Sequence, residues 1–469
     1  MKFLKRSIIF IFASCFYAFA LAAVVVQDTK DLLAEANRAY HQQDYPRAAK
    51  ALKQTCENEN LGCSNLGLLY LNGLAVEQDY DRANFYFQKA CDADDFFGCY
   101  NLGHSYFKGR AVPRDYYRAA ELYTQACDGE MFDGCGNLGN LYQNGLGVEK
   151  DYSYAAKLYE KACNADIAEA CGKLGFFYDT NLGVERDYSR AAGLYEKACN
   201  GEYATACHNL GILFFYGQGV EQDYSRAAEL YEQACDRGFV HGCTQIGKMY
   251  FEGKGIKKDI SRAVKFYEKS CYGGIEQVCG VLGDIYAQGQ GVEVDYSRAA
   301  KLYERACVSN IKESCHNLGV IYTKAKNVEF DYSILAKAFA IGCDGKNTEA
   351  CLELGKLYEE GKGVSQNYSF AARFYGKACD AENITACYQL GILYYEGKGV
   401  EQNYSRAVEL YKKGCDASDM TACALLGIAY EEGKGVEKDT NRALELYKKS
   451  CDTGNTKACE FRKMLLLSL

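Results

Sequence analysis

Apolar positions recur along this chain in two alternating stripes. In Cys207 to Cys235 (CHNLGILFFYGQGVEQDYSRAAELYEQAC), Leu210, Gly211 and Phe214 fall at i, i+1 and i+4, the spacing of one helix face. Gly217-Gln218-Gly219-Val220 interrupts that stripe, and glycine readily takes the positive φ that ends a helix. Asp223 then offers an N-cap. Tyr224, Ala227, Ala228, Leu230, Tyr231 and Ala234 form the apolar face of a second helix. The adjacent alanines permit close helix approach, and the tyrosines and leucines fill the remaining space. The segment predicts a helix–turn–helix hairpin.

The same skeleton returns as Leu102-Gly103-Tyr106, Asp115-Tyr116 and Ala119-Ala120, and again as Leu390-Gly391-Tyr394, Asn403-Tyr404 and Ala407. From Cys91 to Cys451 its first cysteine recurs every 36 residues. Units of this length cannot bury their apolar faces alone and must stack. The chain therefore reads as a single all-α array, a right-handed α/α solenoid, rather than several conventional domains. A variant hairpin is expected at 28–56, where Tyr40 reaches Asp44 without a Gly-x-Gly turn. Eleven repeats of 36 residues follow over 57–458, and a capping helix over 459–469. The unit Cys315–Cys343 departs from the pattern. There Ala325 and Asn327 replace the loop glycines and Leu335 replaces the first alanine, so a local change in curvature is expected.

The cysteines, 25 in all, extend this picture. Two pairings suit a stack of hairpins. One joins the end of a second helix to the next first helix; the other joins the two ends of one hairpin, as Cys99 to Cys127. The second strands Cys56 and Cys459, whereas the first leaves no cysteine of the mature chain unpaired. Short clips are thus expected at Cys56–Cys63, Cys91–Cys99, Cys127–Cys135, Cys163–Cys171, Cys199–Cys207 and Cys235–Cys243. They continue at Cys271–Cys279, Cys307–Cys315, Cys343–Cys351, Cys379–Cys387, Cys415–Cys423 and Cys451–Cys459. Such a framework belongs to an oxidising compartment.

The N-terminus agrees. Lys2, Lys5 and Arg6 precede an apolar run from Ser7 to Leu21, and Ala20-Leu21-Ala22 offers a cleavage site, with Ala18-Phe19-Ala20 the second choice. These features predict a signal peptide over 1–22 and a secreted chain, extracellular or periplasmic. The alternatives are an uncleaved anchor, since the apolar run continues to Val26, and a loose lipoprotein box at Cys15. The net charge of −8 argues against nucleic acid or anionic lipid as the partner. No membrane association is expected after cleavage.

The string L-G-x-x-Y-x-x-G-x-G-V-x-x-D-Y-x-x-A-x-x-x-Y-x-x-A resembles the Sel1-like repeat, a relative of the tetratricopeptide repeat. The NRAYHQQDYPRAA run of the first hairpin is closer to the tetratricopeptide repeat itself. Sel1-like repeats that carry C-x7-C behind a secretion signal resemble the Helicobacter cysteine-rich protein family. That resemblance implies penicillin binding and slow β-lactam hydrolysis.

The residues lend the hydrolase little. A serine β-lactamase needs S-x-x-K with S-D-N and K-T-G nearby. Ser105-Tyr106-Phe107-Lys108 supplies the candidate nucleophile Ser105 and base Lys108, and Ser309 to Lys312 repeats the spacing, but neither companion motif occurs. The five histidines show no H-x-H or H-E-x-x-H spacing, so neither metal nor cofactor is expected.

A solenoid presents a long concave surface lined by its first helices. The position two after each second cysteine should lie near it: Asn65, Asn101, Asn137, Asn209 and Asn317, with Gln245 and Gln389 in further units. Such amides can donate to and accept from an extended peptide backbone. In tetratricopeptide clamps an asparagine just after the small-residue position grips a terminal carboxylate, and Asn37 and Asn140 hold that place here. The competing role for these amides is capping or bonding between repeats. Phe177, Phe215 and Tyr395 are off-consensus aromatics and candidate ligand contacts. The expectation is a monomeric scaffold that binds a host or envelope peptide or protein, or a peptidoglycan fragment. Slow β-lactam turnover is the alternative.

Overall fold

The computed structural model describes residues 29–325, 328–345 and 347–468; the expected signal peptide, Cys15 and Asn327 lie outside the described residues. Every regular element among the described residues is a helix, and nearly all run for 13 residues. The chain divides into two compact units, Met1–Gly242 and Cys243–Leu469. Each is a stack of antiparallel hairpins in which a helix packs on the one before it and the one after it.

One hairpin shows why the sequence folds this way. The first helix, Ala204–Tyr216, stops where Gly217 takes φ 68° and returns its N–H to the Leu213 carbonyl. The second, Tyr224–Asp236, starts where the Asp223 carboxylate accepts from the Arg226 N–H. Aspartate or asparagine caps second helices from Asp44 to Asp439 in the same manner. Gly211 is small because the ring of Tyr231 lies across it: a Cβ there would meet that ring at 2.8 Å. The Tyr123, Tyr159, Tyr195 and Tyr375 rings sit fully buried at the same place in other hairpins.

Two expected boundaries move. From Phe96 onward first helices begin three residues before the second cysteine, so the last helix is Thr456–Ser468 rather than 459–469. Asn455 accepts from the Ala458 N–H and sets that start. In the first hairpin the second helix runs Tyr45–Glu59, past Cys56.

The disulfides join each second helix to the following first helix. Cys91–Cys99, Cys163–Cys171, Cys307–Cys315 and Cys415–Cys423 are examples, with Cα separations of 4.5 to 4.7 Å. Cys235 and Cys243 are also disulfide-bonded. A lysine from the next repeat caps the helix end beside several clips: Lys89 donates to the Cys56 carbonyl, Lys161 to Cys127 and Lys197 to Cys163, at 2.7 to 2.8 Å. A cation at a helix C-terminus also meets the negative end of the helix dipole. In the departing unit Ala325 has φ −108° instead of a left-handed turn, the conformation an alanine prefers. The Leu335 side chain is fully buried there.

One buried group makes stability depend on pH. His208 is 8% exposed, packs on Tyr231, Phe239 and His241, and its Nδ1 has no hydrogen-bond partner. Burial, then the charge of His241, pushes its pKa down to about 4. The unfolded chain therefore takes up a proton near the ordinary histidine value, about 6.5, that the folded chain refuses until lower pH. Its stabilising contribution is complete above pH 6.5 and is lost as pH falls toward 4, on the order of 3 kcal/mol. His208→Leu, which copies Leu352 at the same repeat position, should flatten that window. Guanidinium unfolding of both proteins at pH 7 and pH 4.5 checks it, and equal losses on acidification would refute it.

Candidate functional site

In the first unit, helices Phe96–Lys108, Phe132–Asn144 and Ala168–Thr180 are the first helices of three successive repeats. Two concavities lie between them, of about 310 and 80 Å³, and Asn137 and Asn140 line both. His104, Lys108 and Tyr123 border the larger; Tyr100, Tyr159 and Lys173 border the smaller. Lys173 donates to Asn140 Oδ1 at 2.5 Å, and the Tyr159 hydroxyl donates to the same oxygen at 3.1 Å. Asn140 thus ties two neighbouring repeats together at the surface.

The site offers donors and acceptors together, since Asp133 and Glu169 also line the smaller concavity and Glu169 pairs with Lys173 at 2.8 Å. Burial raises the pKa of Tyr100, Tyr123 and Tyr159, so their hydroxyls remain donors at any physiological pH. The Asn137 side chain lies at the hydroxyls of Tyr100 and Tyr123 and partly offsets that push. His104 is held below its ordinary value by burial, then by Arg110 and Lys108, and stays neutral at pH 7. Neutral amides, phenols and an imidazole, with the Lys108 ammonium and the Asp133 and Glu169 carboxylates, suit a peptide backbone, which both donates and accepts.

The other expected groove residues are placed differently. Asn65 donates to Asn37 Oδ1 at 3.2 Å, joining the first two hairpins. Asn101 turns back to the Phe97 carbonyl of its own helix at 2.7 Å. Asn209 lies at the Tyr195 hydroxyl. In the second unit Asn317 donates to Asp284 at 2.9 Å, and Gln245 and Gln389 are half-buried. Of these amides, Asn137 and Asn140 line concavities together with further polar groups. Tyr159 and Lys173 were missed in the sequence. Lys173 stands two after Cys171, the position scanned for amides, so scanning the position rather than the residue type would have found it.

The S-x-x-K pair is not assembled for catalysis. Ser105 is 2% exposed and donates to the Asn101 carbonyl at 3.2 Å, while the Lys108 ammonium lies over the Phe107 ring. Ser105 occupies the column that holds Leu69, Leu141, Phe177 and Leu213, all in the core. Phe177 is corrected by the same fact: it is fully buried against Tyr152 and Tyr159. Phe215 and Tyr395 are half-buried beside Tyr224 and Tyr404. Among the described residues no group of three or more histidine, cysteine, aspartate or glutamate side chains could hold a metal ion. No helix there is long and apolar enough to cross a membrane.

Comparison with known proteins adds to this geometry. The Sel1 repeat matches residues 61–95, 97–130, 133–167, 168–203, 204–239, 240–275, 281–307, 348–383, 384–419 and 421–455. It passes over 308–347, the departing unit. The chain is 37% identical over 67 residues to HcpC of Helicobacter pylori strain J99, a protein named provisionally as a beta-lactamase, and 36% identical over 66 residues to HcpC of strain 26695. Each alignment covers 14% of this chain and 23% of the relative, so the chain matches about a quarter of those relatives' length. The crystal structure of a protective antigen of uropathogenic Escherichia coli with an SLR fold superimposes with a TM-score of 0.58 at 25% identity. It covers 90% of this chain and 91% of its own. The repeat match over most of the chain and the helix hairpins lead to one assignment: the chain belongs to the Sel1-repeat family.

Proposed function

We propose that this protein is a secreted binding scaffold that holds an extended peptide across the first helices around Asn137 and Asn140. The source is a peptidoglycan stem or a segment of a host or envelope protein. The observation that carries the reading is that these two amides line adjacent concavities spanning three repeats, beside phenol and ammonium donors. Secretion is supported by the N-terminal signal pattern and by the disulfide density, which fits an oxidising compartment. The Helicobacter relatives' name is the sole support for β-lactam hydrolysis, and the burial of Ser105 opposes it.

Fluorescence polarisation with labelled stem peptides ending in D-Ala-D-Ala and with a random hexapeptide pool tests the proposal on the oxidised chain. Asn137→Ala combined with Asn140→Ala is expected to raise Kd at least about tenfold, the loss of one to two hydrogen bonds from a desolvated site. Nitrocefin hydrolysis measured alongside should stay at the background rate. No saturable binding, or binding indifferent to both substitutions, would overturn the reading.

A further inference from the structure

Along the first helices, crevices lie at several of the places where two repeats meet. A second-helix ring borders each: Tyr123, Tyr159 or Phe339. Two junctions between repeats are bridged by hydrogen bonds. In the first unit Tyr159 and Lys173 both donate to Asn140. In the second, Tyr303 donates to Asp284 at 2.6 Å and Asn317 donates to the same oxygen at 2.9 Å. The bridge needs a hydroxyl on the tyrosine ring and an acceptor one residue after the glycine.

The departing repeat, Lys312–Lys324 with Tyr332–Asp344, has neither. Phe339 replaces the tyrosine and Val320 replaces the acceptor. Glu353, where Lys173 and Asn317 stand in their own repeats, pairs instead with Lys356 of its own helix at 2.6 Å. Among the described residues no such bridge spans this crevice, and a pocket of about 100 Å³ remains. Gly319, Val320, Phe339 and Ala350 line it with apolar groups, while His316, Thr323, Asn347 and Glu349 contribute polar ones. The packing beneath is looser too: a Cβ on Gly319 would lie 3.2 Å from Phe339, against 2.5 to 2.8 Å from the ring at Gly211, Gly283 and Gly355.

We infer that this pocket receives a small aliphatic side chain, valine in size, from an extended peptide whose backbone N–H meets the Glu349 carboxylate. Three observations select that occupant. The volume is below the roughly 150 Å³ of an apolar cavity that takes benzene, so an aromatic ring overfills it. Gly319, Val320, Ala338, Phe339 and Ala350 make much of the lining apolar, and burying an unpaired polar side chain against that part opposes binding. The Glu349 carboxylate accepts, which suits a backbone donor. The proposal rests on the peptide-binding reading but concerns a separate place in the second unit. It gives the deviation of this repeat a purpose, since local rules are broken where function requires it.

Fluorescein-labelled hexapeptides Gly-Gly-X-Gly-Gly-Gly, with X glycine, alanine, valine or phenylalanine, test it by polarisation on the oxidised full chain. The valine peptide should bind about tenfold more tightly than the glycine peptide, the gain from burying one such side chain, and phenylalanine should lose that gain. Val320→Asn combined with Phe339→Tyr rebuilds the bridge of Asn140 and Tyr159 and should make all four peptides bind alike. Gly319→Ala, which only adds a methyl to the floor, should reduce the preference and guards against a misfolded double variant. A valine preference that survives both variants, or no preference in the parent chain, overturns the inference and leaves peptide binding standing. Absence of binding by every peptide removes the peptide-binding reading and this inference together.

Discussion

Reduction of the folded chain is expected to abolish its stability, and removal of a single clip to lower it by about 2.5 kcal/mol. Each clip closes a loop of separation 8, for which the chain-entropy treatment gives about 2.5 kcal/mol by restricting the unfolded chain. In a repeat array, stability is close to a sum of unit and neighbour terms, so losses at several clips accumulate. Most ordinary domains have only 5–15 kcal/mol in total, roughly the worth of a few clips. Guanidinium unfolding of Cys163→Ala with Cys171→Ala against the parent chain measures the single-clip term. Cys163 and Cys171 are at most 3% exposed, so a reductant must wait for local opening. The reduction rate should therefore climb with denaturant before the main unfolding transition. A double substitution costing less than about 0.5 kcal/mol would mean that packing alone fixes the hairpin junctions.

Features that recur in every unit were readable in the amino-acid sequence because repetition averages out the accidents of any one hairpin. The Asp223 cap, the Gly217 stop and the second-helix tyrosine stripe are all where the periodicity puts them. What a side chain does toward the next repeat was not readable from one column. The position two after the second cysteine faces the position five after it in the preceding repeat, so its bond depends on a residue about 33 places earlier. Asn317 finds Asp284 and Lys173 finds Asn140. The corresponding place before Asn101 holds Leu68, which offers no acceptor, and Asn101 bonds its own helix. Glu353 meets Val320 and turns to Lys356. The Ser105 and Phe177 expectations failed for a related reason. Both were judged by residue type, although their shared column, filled elsewhere by leucine, already marked them as core.

Gly219→Ala is expected to destabilise the first unit by about 3 kcal/mol, while Gly193→Ala in the same unit stabilises it by up to about 1 kcal/mol. Both changes add one methyl group, so chemistry alone predicts no difference. At Gly193 an added Cβ has nothing within 4 Å, and the residue lies within the helix Tyr188–Asn200. There alanine simply restores helix propensity. At Gly219 φ is +71°, a left-handed conformation, and the Cβ would fall 2.3 Å from the Tyr188 carbonyl carbon and 2.5 Å from the Ser189 nitrogen. Backbone cannot rotate aside as a side chain can. The loop must leave the start of the preceding second helix, and the 2.9 Å bond from the Ser189 hydroxyl to the Gly219 carbonyl goes with it. Gly183 and Gly399 press on Tyr152 and Tyr368 in the same way, and Ser153 and Ser369 donate to them likewise. Gly217→Ala is the internal reference: it carries a similar positive φ of 68° but would meet only the Gln222 side chain and backbone at 3.1 to 3.5 Å. It isolates the conformational term, about 1 kcal/mol. If denaturant unfolding ranks Gly219→Ala no worse than Gly217→Ala, the loop does not hold neighbouring repeats together. If Gly219→Ala is the worse by about 2 kcal/mol, the second loop glycine is an inter-repeat joint as well as a turn.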